Sequence, residues 1–423
     1  MTLLILAAMA CTTPDDTATD DTSSSVSCDN NICFVSGQIL ADTTWTADNE
    51  YLLQGGVEVG DGVDPVVLTI EPGTTIYGEN SSGGMLVVHR NSKLMAEGTA
   101  DAPIVFTSSL EDGSRARGDW GGIILNGNAP LNVCDGVADA PDPCEANGEG
   151  GTGTFGGNDP ADNSGVLTYV RVEFAGSLIS PENELNGIAF QGVGSGTTLD
   201  YIQVHRNDDD GVEFYGGTAD ISHLVVSGVG DDGLDWTDGW QGSAQYVVIH
   251  TYGDGDQGIE ADNNGENNDA EPRSNPSISN VTIVGIPNEG EGKPDLGILV
   301  REGTAGSFES VLVQGFMDGC MGLNHDATYE QASSGALSFS DMVFACDVAM
   351  DDETGFETYS DVTAADMQDA LESDGLQIVT GPLVANGGSQ DAPDFMPASG
   401  FESIGAIVDG TDWTAGWTSY PAN

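Results

Sequence analysis

Basic residues are almost missing from this sequence. Nine lysines and arginines stand against 69 aspartates and glutamates, a formal charge of −60, and only Lys93 and Lys293 are lysines. A surface of that sign repels polyanions, which excludes nucleic acid and an anionic lipid face as partners. Long apolar runs are missing too: none beyond the N-terminus approaches the roughly 18 residues a membrane-spanning helix needs. No G-x-S-x-G, P-loop, dinucleotide fingerprint or H-E-x-x-H occurs, so the motif-borne hydrolase, nucleotide-binding and zinc-peptidase chemistries have no foothold. His89, His205, His223, His250 and His325 are scattered, and no cysteines are spaced C-x-x-C, which argues against structural zinc.

What is present is a repeat. Asp210-Gly211-Val212-Glu213-Phe214, Asp232-Gly233-Leu234-Asp235-Trp236 and Gln257-Gly258-Ile259-Glu260-Ala261 share one pattern, and their glycines lie 22 and 25 residues apart. A fixed period of this size means a solenoid, whose core grows along an axis, so one domain can be long. Runs such as Val67–Ile70, Met85–Val88 and Ile104–Thr107 alternate with period two between Gly, Pro, Asn and Asp. They predict strands of four to six residues with tight corners and no room for crossover helices. A strand column aligns through Leu199–Val204, Ile221–Val226, Ala244–Ile249, Ile278–Ile283, Phe308–Val313 and Leu337–Met342. Between these strands lies a glycine column, Gly187, Gly211, Gly233, Gly258, Gly297 and Gly322, read as a corner that requires positive φ.

The phrases I-E-P-G-T-T-I-Y-G (70–78), K-L-M-A-E-G-T-A-D-A-P-I-V-F-T-S (93–108), D-W-G-G-I-I-L-N-G-N-A-P (119–130), Y-V-R-V-E-F-A-G (169–176), G-V-G-S-G-T-T-L-D-Y-I-Q-V (192–204) and D-W-T-A-G-W-T (412–418) carry a resemblance. They are similar to those of a family of bacterial secreted or lipid-anchored right-handed parallel β-helix proteins, within the pectate-lyase-like superfold. The resemblance runs from about residue 33 to the end and implies an all-β, right-handed parallel β-helix with long inserted loops and a C-terminal cap. It implies a surface location and carries no activity.

Residues 1–11 end in a short apolar run before Cys11 and resemble the end of a lipoprotein signal peptide, with Cys11 as the lipidated residue. Export and anchoring to the outer membrane or cell surface follow, and Cys11 is then the one membrane attachment. Residues 12–32 begin with a Thr-, Asp- and Ser-rich stretch and read as a flexible acidic tether. The other six cysteines fall into near pairs, Cys28 with Cys33, Cys134 with Cys144 and Cys320 with Cys346, as disulfides in an oxidising compartment would. Residues 33–346 form the expected β-helix body. Residues 128–165, rich in Gly and Asp, interrupt it as a loop projecting from a corner. Residues 347–423 form a capping region with a short helix at 363–373, and 393–423 are expected to close the last rung.

After each corner glycine, side chains alternate between core and exterior. The outward column then reads Ala189, Glu213, Asp235, Glu260, Leu299. Like charges about 5 Å apart repel by roughly 3 kcal/mol per pair at an effective dielectric near 20. Solvation, shared protons or a cation must relieve this. Calcium takes oxygen ligands from such a set, and the candidates are Asp210, Glu213, Asp232, Asp235, Glu260 and Asp262, with Asn263, Asn264 and Glu266 from the adjoining loop. Tyr215 and Trp240 are candidate sugar-stacking rings, and Arg206, Arg273 and Arg301 the basic residues near the acids. The expected function is a cell-surface binding or structural module, a calcium-dependent glycan binder or adhesin. A calcium-dependent polysaccharide lyase or glycoside hydrolase, or a spacer without ligand, are the alternatives.

Overall fold

Short strands joined by corners bury their apolar faces by stacking coil upon coil. The computed structural model describes residues 25–179, 185–286, 296–351, 364–386, 390 and 393–423. The stretch read as a signal peptide, Cys11 and residues 12–24 of the expected tether lie outside this set. The chain is a right-handed parallel β-helix built on one continuous sheet of 24 strands. One column holds short strands in register, Met85–Val88, Ile123–Asn126, Ile188–Gln191, Val212–Tyr215, Leu234–Thr237, Ile259–Ala261, Leu296–Val300 and Gly319–Leu323. The other holds long strands, Gly165–Glu173, Thr198–His205, Ile221–Ser227, Ser243–Thr251, Ser277–Gly285, Gly306–Gln314 and Leu337–Ala345.

Each long strand bends once. The bend residue sits in the left-handed region on every rung, at Tyr169, Tyr201, His223, Tyr246, Asn280, Ser310 and Asp341, with φ between 49° and 63°. Side chains other than glycine rarely adopt this conformation. Stacking offsets the strain on four of these rungs: Tyr169 on Tyr201 at 4.3 Å, Tyr201 on His223 at 4.2 Å and His223 on Tyr246 at 4.9 Å between ring centroids.

The glycine column has a different cause from the one expected. None of its six members has positive φ. A Cβ on Gly211 would lie 2.5 Å from Val226 Cγ1, and one on Gly233 would lie 2.4 Å from Ile249 Cγ2 and 2.6 Å from the Gly258 carbonyl. Close approach to β-branched residues of the long strands excludes a side chain there. Gly322 does not belong to the column: it pairs with outward Leu299, so Cys320 follows Gly297 and forms its disulfide to Cys346 from that place. The other two disulfides, Cys28–Cys33 and Cys134–Cys144, are also formed.

The coil begins earlier than expected. Ser25–Asp29 pairs antiparallel with Ile32–Ile39 through Asn30 and Asn31, both at positive φ, a two-residue turn that matches strand twist. Residues 25–32 are therefore a hairpin across the first coil, and not tether. At the far end, helix α1 (Asp326–Ser334) is inserted before the last long strand, and helix α2 (Ala364–Ser373) brings Leu371 into the main core.

Residues 393–423 do not close the last rung. They run back along the outer face of the long strands as a strap. Gly405 donates to the Ser310 carbonyl, Ala406 N to Thr282 Oγ1 at 2.9 Å, Gln203 Nε2 to the Ser419 carbonyl at 2.7 Å, and the Asn423 carbonyl accepts from Gly113 N at 3.0 Å. The cause is apolar: Val225, Val248 and Val284 point outward, and Phe395, Ala406, Ile407 and Trp417 bury them.

Candidate functional site

The repeated acid-glycine phrase first does a structural job. Asp210 Oδ1 accepts the Asp232 amide at 2.9 Å, Asp232 Oδ1 accepts the Gln257 amide at 2.6 Å, and Gln257 Oε1 accepts the Leu296 amide at 3.2 Å. Each corner side chain thus satisfies the backbone of the next coil. The uncharged Gln257 serves this relay as well as the two aspartates do, so the relay requires an acceptor oxygen and no charge.

Register places Glu213 against Asp235 and Asp235 against Glu260 on successive rungs. On the three preceding rungs the same outward line is apolar, with Val87, Ile124 and Ala189 forming a small cluster beside Met85 and Tyr215. The inserted loop does not project into solvent; it folds onto this face. Thr152 accepts from Asn126 Nδ2 at 2.8 Å through its carbonyl, and Glu149 Oε2 accepts from the Tyr215 hydroxyl at 2.9 Å. The acids are consequently buried: Asp210 is 6 %, Glu213 7 % and Asp232 4 % exposed.

One oxygen each from Asp210, Glu213 and Asp235 lie within 4.8 Å of one another, and Asp232, Asp235 and Glu260 form a second such trio that shares Asp235. Asp209 with Asp210 and Asp231, and Asp231 with Asp232 and Asp256, form two more at the corners. Few donors reach this group. Asn186 Nδ2 donates to Glu213 Oε2 at 2.7 Å, whereas Asp235 Oδ1 is buried with no hydrogen-bond partner. Burial, and then the charges of their neighbours, hold the carboxyls of Asp210, Asp232 and Asp235 well above the usual range. Glu213 is raised by burial and then by Glu149. Burial pushes Glu260 up to about 7 even with Arg301 beside it.

Five of the sequence-proposed ligands therefore meet: Asp210, Glu213, Asp232, Asp235 and Glu260. The others are engaged or distant. Asp262 receives Arg301 Nε on both oxygens at 2.9 Å, and Arg301 Nη2 also binds Glu260, closing that end of the column. Asn263 and Asn264 are tied to Asn132 of the inserted loop, at 2.9 and 3.0 Å, and to their own loop backbone. Glu266 is exposed and belongs to none of the trios. Trp240 is a core residue stacked on Phe214 at 4.3 Å, and the hydroxyl of Tyr215 is occupied by Glu149. Asn186 and Glu149 are the members the repeat does not reveal, whereas Asp209, Asp231 and Asp256 flank the repeated phrase in the sequence and join the trios without being among the proposed ligands. The corner acids were visible beside the phrase, but the loop residues reach the column only through folding.

The donor set is all oxygen, carries an unpartnered buried carboxylate oxygen and has its charges in excess of what the corner relay requires. These features fit a hard divalent cation of calcium's type. No curated protein matches the chain, and no solved structure does. The family described as the pectate-lyase like beta helix domain matches residues 37–418, the span of the coil and most of the strap, and the chain belongs to that family.

Proposed function

We propose that this protein is a lipid-anchored cell-surface module that binds glycan, with calcium held in the acid column by Asp210, Glu213, Asp232, Asp235 and Glu260. The observation that carries the metal is Asp235: its buried, unpartnered Oδ1 belongs to the residue shared by two carboxylate trios. Leaving such an oxygen dry costs on the order of 1–3 kcal/mol, and a cation removes that cost together with the mutual repulsion. The family description supports a polysaccharide as the class of partner. Three disulfides suit an oxidising compartment, and Cys11 followed by an acidic tether suits an anchored protein.

A lyase or hydrolase is the less favoured reading. A lyase base beside the column must give up its proton, and burial alone would help Arg301 do so. Asp262 and Glu260 outweigh burial and raise its pKa above the ordinary arginine value. The test of the module reading is calorimetric calcium titration of the chelator-treated protein, followed by a glycan array with and without calcium. Saturable uptake, and a gain of about 2.7 kcal/mol in stability at a hundredfold excess over Kd, are expected. Absence of both heat and thermal shift would remove the metal. Equal array signals with and without calcium would separate glycan binding from it.

A further inference from the structure

A chain with 69 acids and seven arginines gives each guanidinium a surplus of partners. Six arginines have taken one: Arg90 holds Glu145, Arg115 Asp112, Arg117 Asp254, Arg171 Glu173, Arg273 Asp269 and Arg301 Asp262. Arg206 has not. Among the described residues it forms no ion pair, and its Nε is buried without a hydrogen-bond partner. Its guanidinium is carried 5.5 Å from the centroid of the Tyr252 ring, an attraction that holds the cation in place while leaving its N–H groups unspent. Its backbone sits at φ 56°, a strained value for a side chain of this size.

Arg206 lines a cleft of about 700 Å³ together with Arg115, Arg117, Asp208, Asp254 and Gln390. Three of the seven arginines thus meet at one place, and Asp254 is already bound to Arg117 at 3.0 Å. The cleft is distinct from the acid column. Corner 206–211 sends Asp210 into the column and turns Arg206 and Asp208 toward the cleft. Its volume exceeds that of a lone inorganic ion and falls in the range of small-molecule sites.

We propose that this cleft binds a small molecule bearing a compact oxyanion, with the planar fork of Arg206 as its direct partner and Arg117 and Arg115 completing the positive wall. A guanidinium recognises carboxylate, phosphate and sulfate through the same paired N–H geometry, and partial desolvation strengthens the contact. Arg206 supplies that fork unpaired, which the other described arginines do not. The site requires no calcium.

The test is calorimetry on the whole chain in chelator, with glucose, glucuronate, glucose-6-phosphate and glucose-6-sulfate as probes. At least one charged probe should bind about tenfold or more tightly than glucose, and the one that does identifies the oxyanion. Arg206→Gln should weaken that probe by about tenfold, and Arg117→Gln by a smaller factor, with calcium uptake unchanged. Arg273→Gln, remote from the cleft, should have no effect. If Arg206→Gln does not fold, Arg206→Lys tests the fork while keeping the charge. The proposal is overturned if no charged probe binds more tightly than glucose, or if the Arg206 and Arg117 variants bind as the parent does.

Discussion

On the outer side of the short strands three successive rungs carry Glu213, Asp235 and Glu260, whereas at the bend of the long strands four successive rungs carry Tyr169, Tyr201, His223 and Tyr246. Both are ladders with one side chain per coil. The rings attract one another and are sealed by Trp413 and Trp417 of the strap, so that ladder is complete as it stands. The carboxylates repel one another, and one of their oxygens has no partner. The coil itself does not require them, since Ala189 and Leu299 fill the same line and Gln257 serves the same relay. The aromatic ladder stabilises the scaffold; the acid ladder costs stability, and it is there that we propose a ligand.

The sharpest way to separate the two faces is pH, because it acts on all the acids at once. Their folded-state pKa values are raised, so their contribution to stability is fully present below the unfolded value near 4. It is lost as pH rises through the folded value, about 7 for Glu260. Chelated protein is therefore expected to lose stability between pH 4 and 8, by up to about 1.4 kcal/mol per pH unit for each group titrating. Calcium should flatten that slope, and denaturant unfolding across pH checks both. His205 opposes this. Burial pushes it down to about 3, so it adds stability as pH rises from there toward 6.5, but it is a single group. A calcium-free profile rising steadily with pH would mean the acids are solvated.

On the strap-covered face of the long strands, Trp417→Ala should cost about 3–5 kcal/mol by emptying the buried seam over Val225 and Val248. Unfolding midpoints give the number, and proteolysis should then cut the strap first. Next in size is Gly233→Ala, whose new Cβ meets Ile249, at about 2–3 kcal/mol; Gly56→Ala, with open space around it, should be near neutral. Smallest is Asp235→Asn, expected to stabilise chelated protein at pH 7 by about 1–2 kcal/mol while abolishing the calcium response. A loss of stability in chelator instead would mean the charge itself serves the fold.

The sequence made the coil legible because every strand repeats the same alternation, and rung register follows once the glycines are aligned. The cause of those glycines was misread: the local phrase shows that no side chain is tolerated, while Val226, Ile249 and Ile283, which exclude it, come from another column. The acid column was legible for the same reason as the coil. Its boundary was not, because Asn263 and Asn264 neighbour Glu260 in sequence while their amides answer to Asn132, more than a hundred residues away. The strap left one unread trace: Leu224-Val225-Val226 and Val247-Val248-Ile249 are unbroken apolar runs, the mark of strands buried on both faces. What covers the outer face cannot be found by periodicity.

The strap also changes what kind of solenoid this is. In a simple stack each coil knows only its neighbours, and unwinding can creep inward from either end. Here Gln203 and His205 are held by Ser419 and Pro421, 216 positions further along the chain, and the same segment touches five other rungs on the way. Early coils must therefore wait, one flank bare, until those distant residues arrive. Once they do, the stack should give way as a whole, and not by peeling.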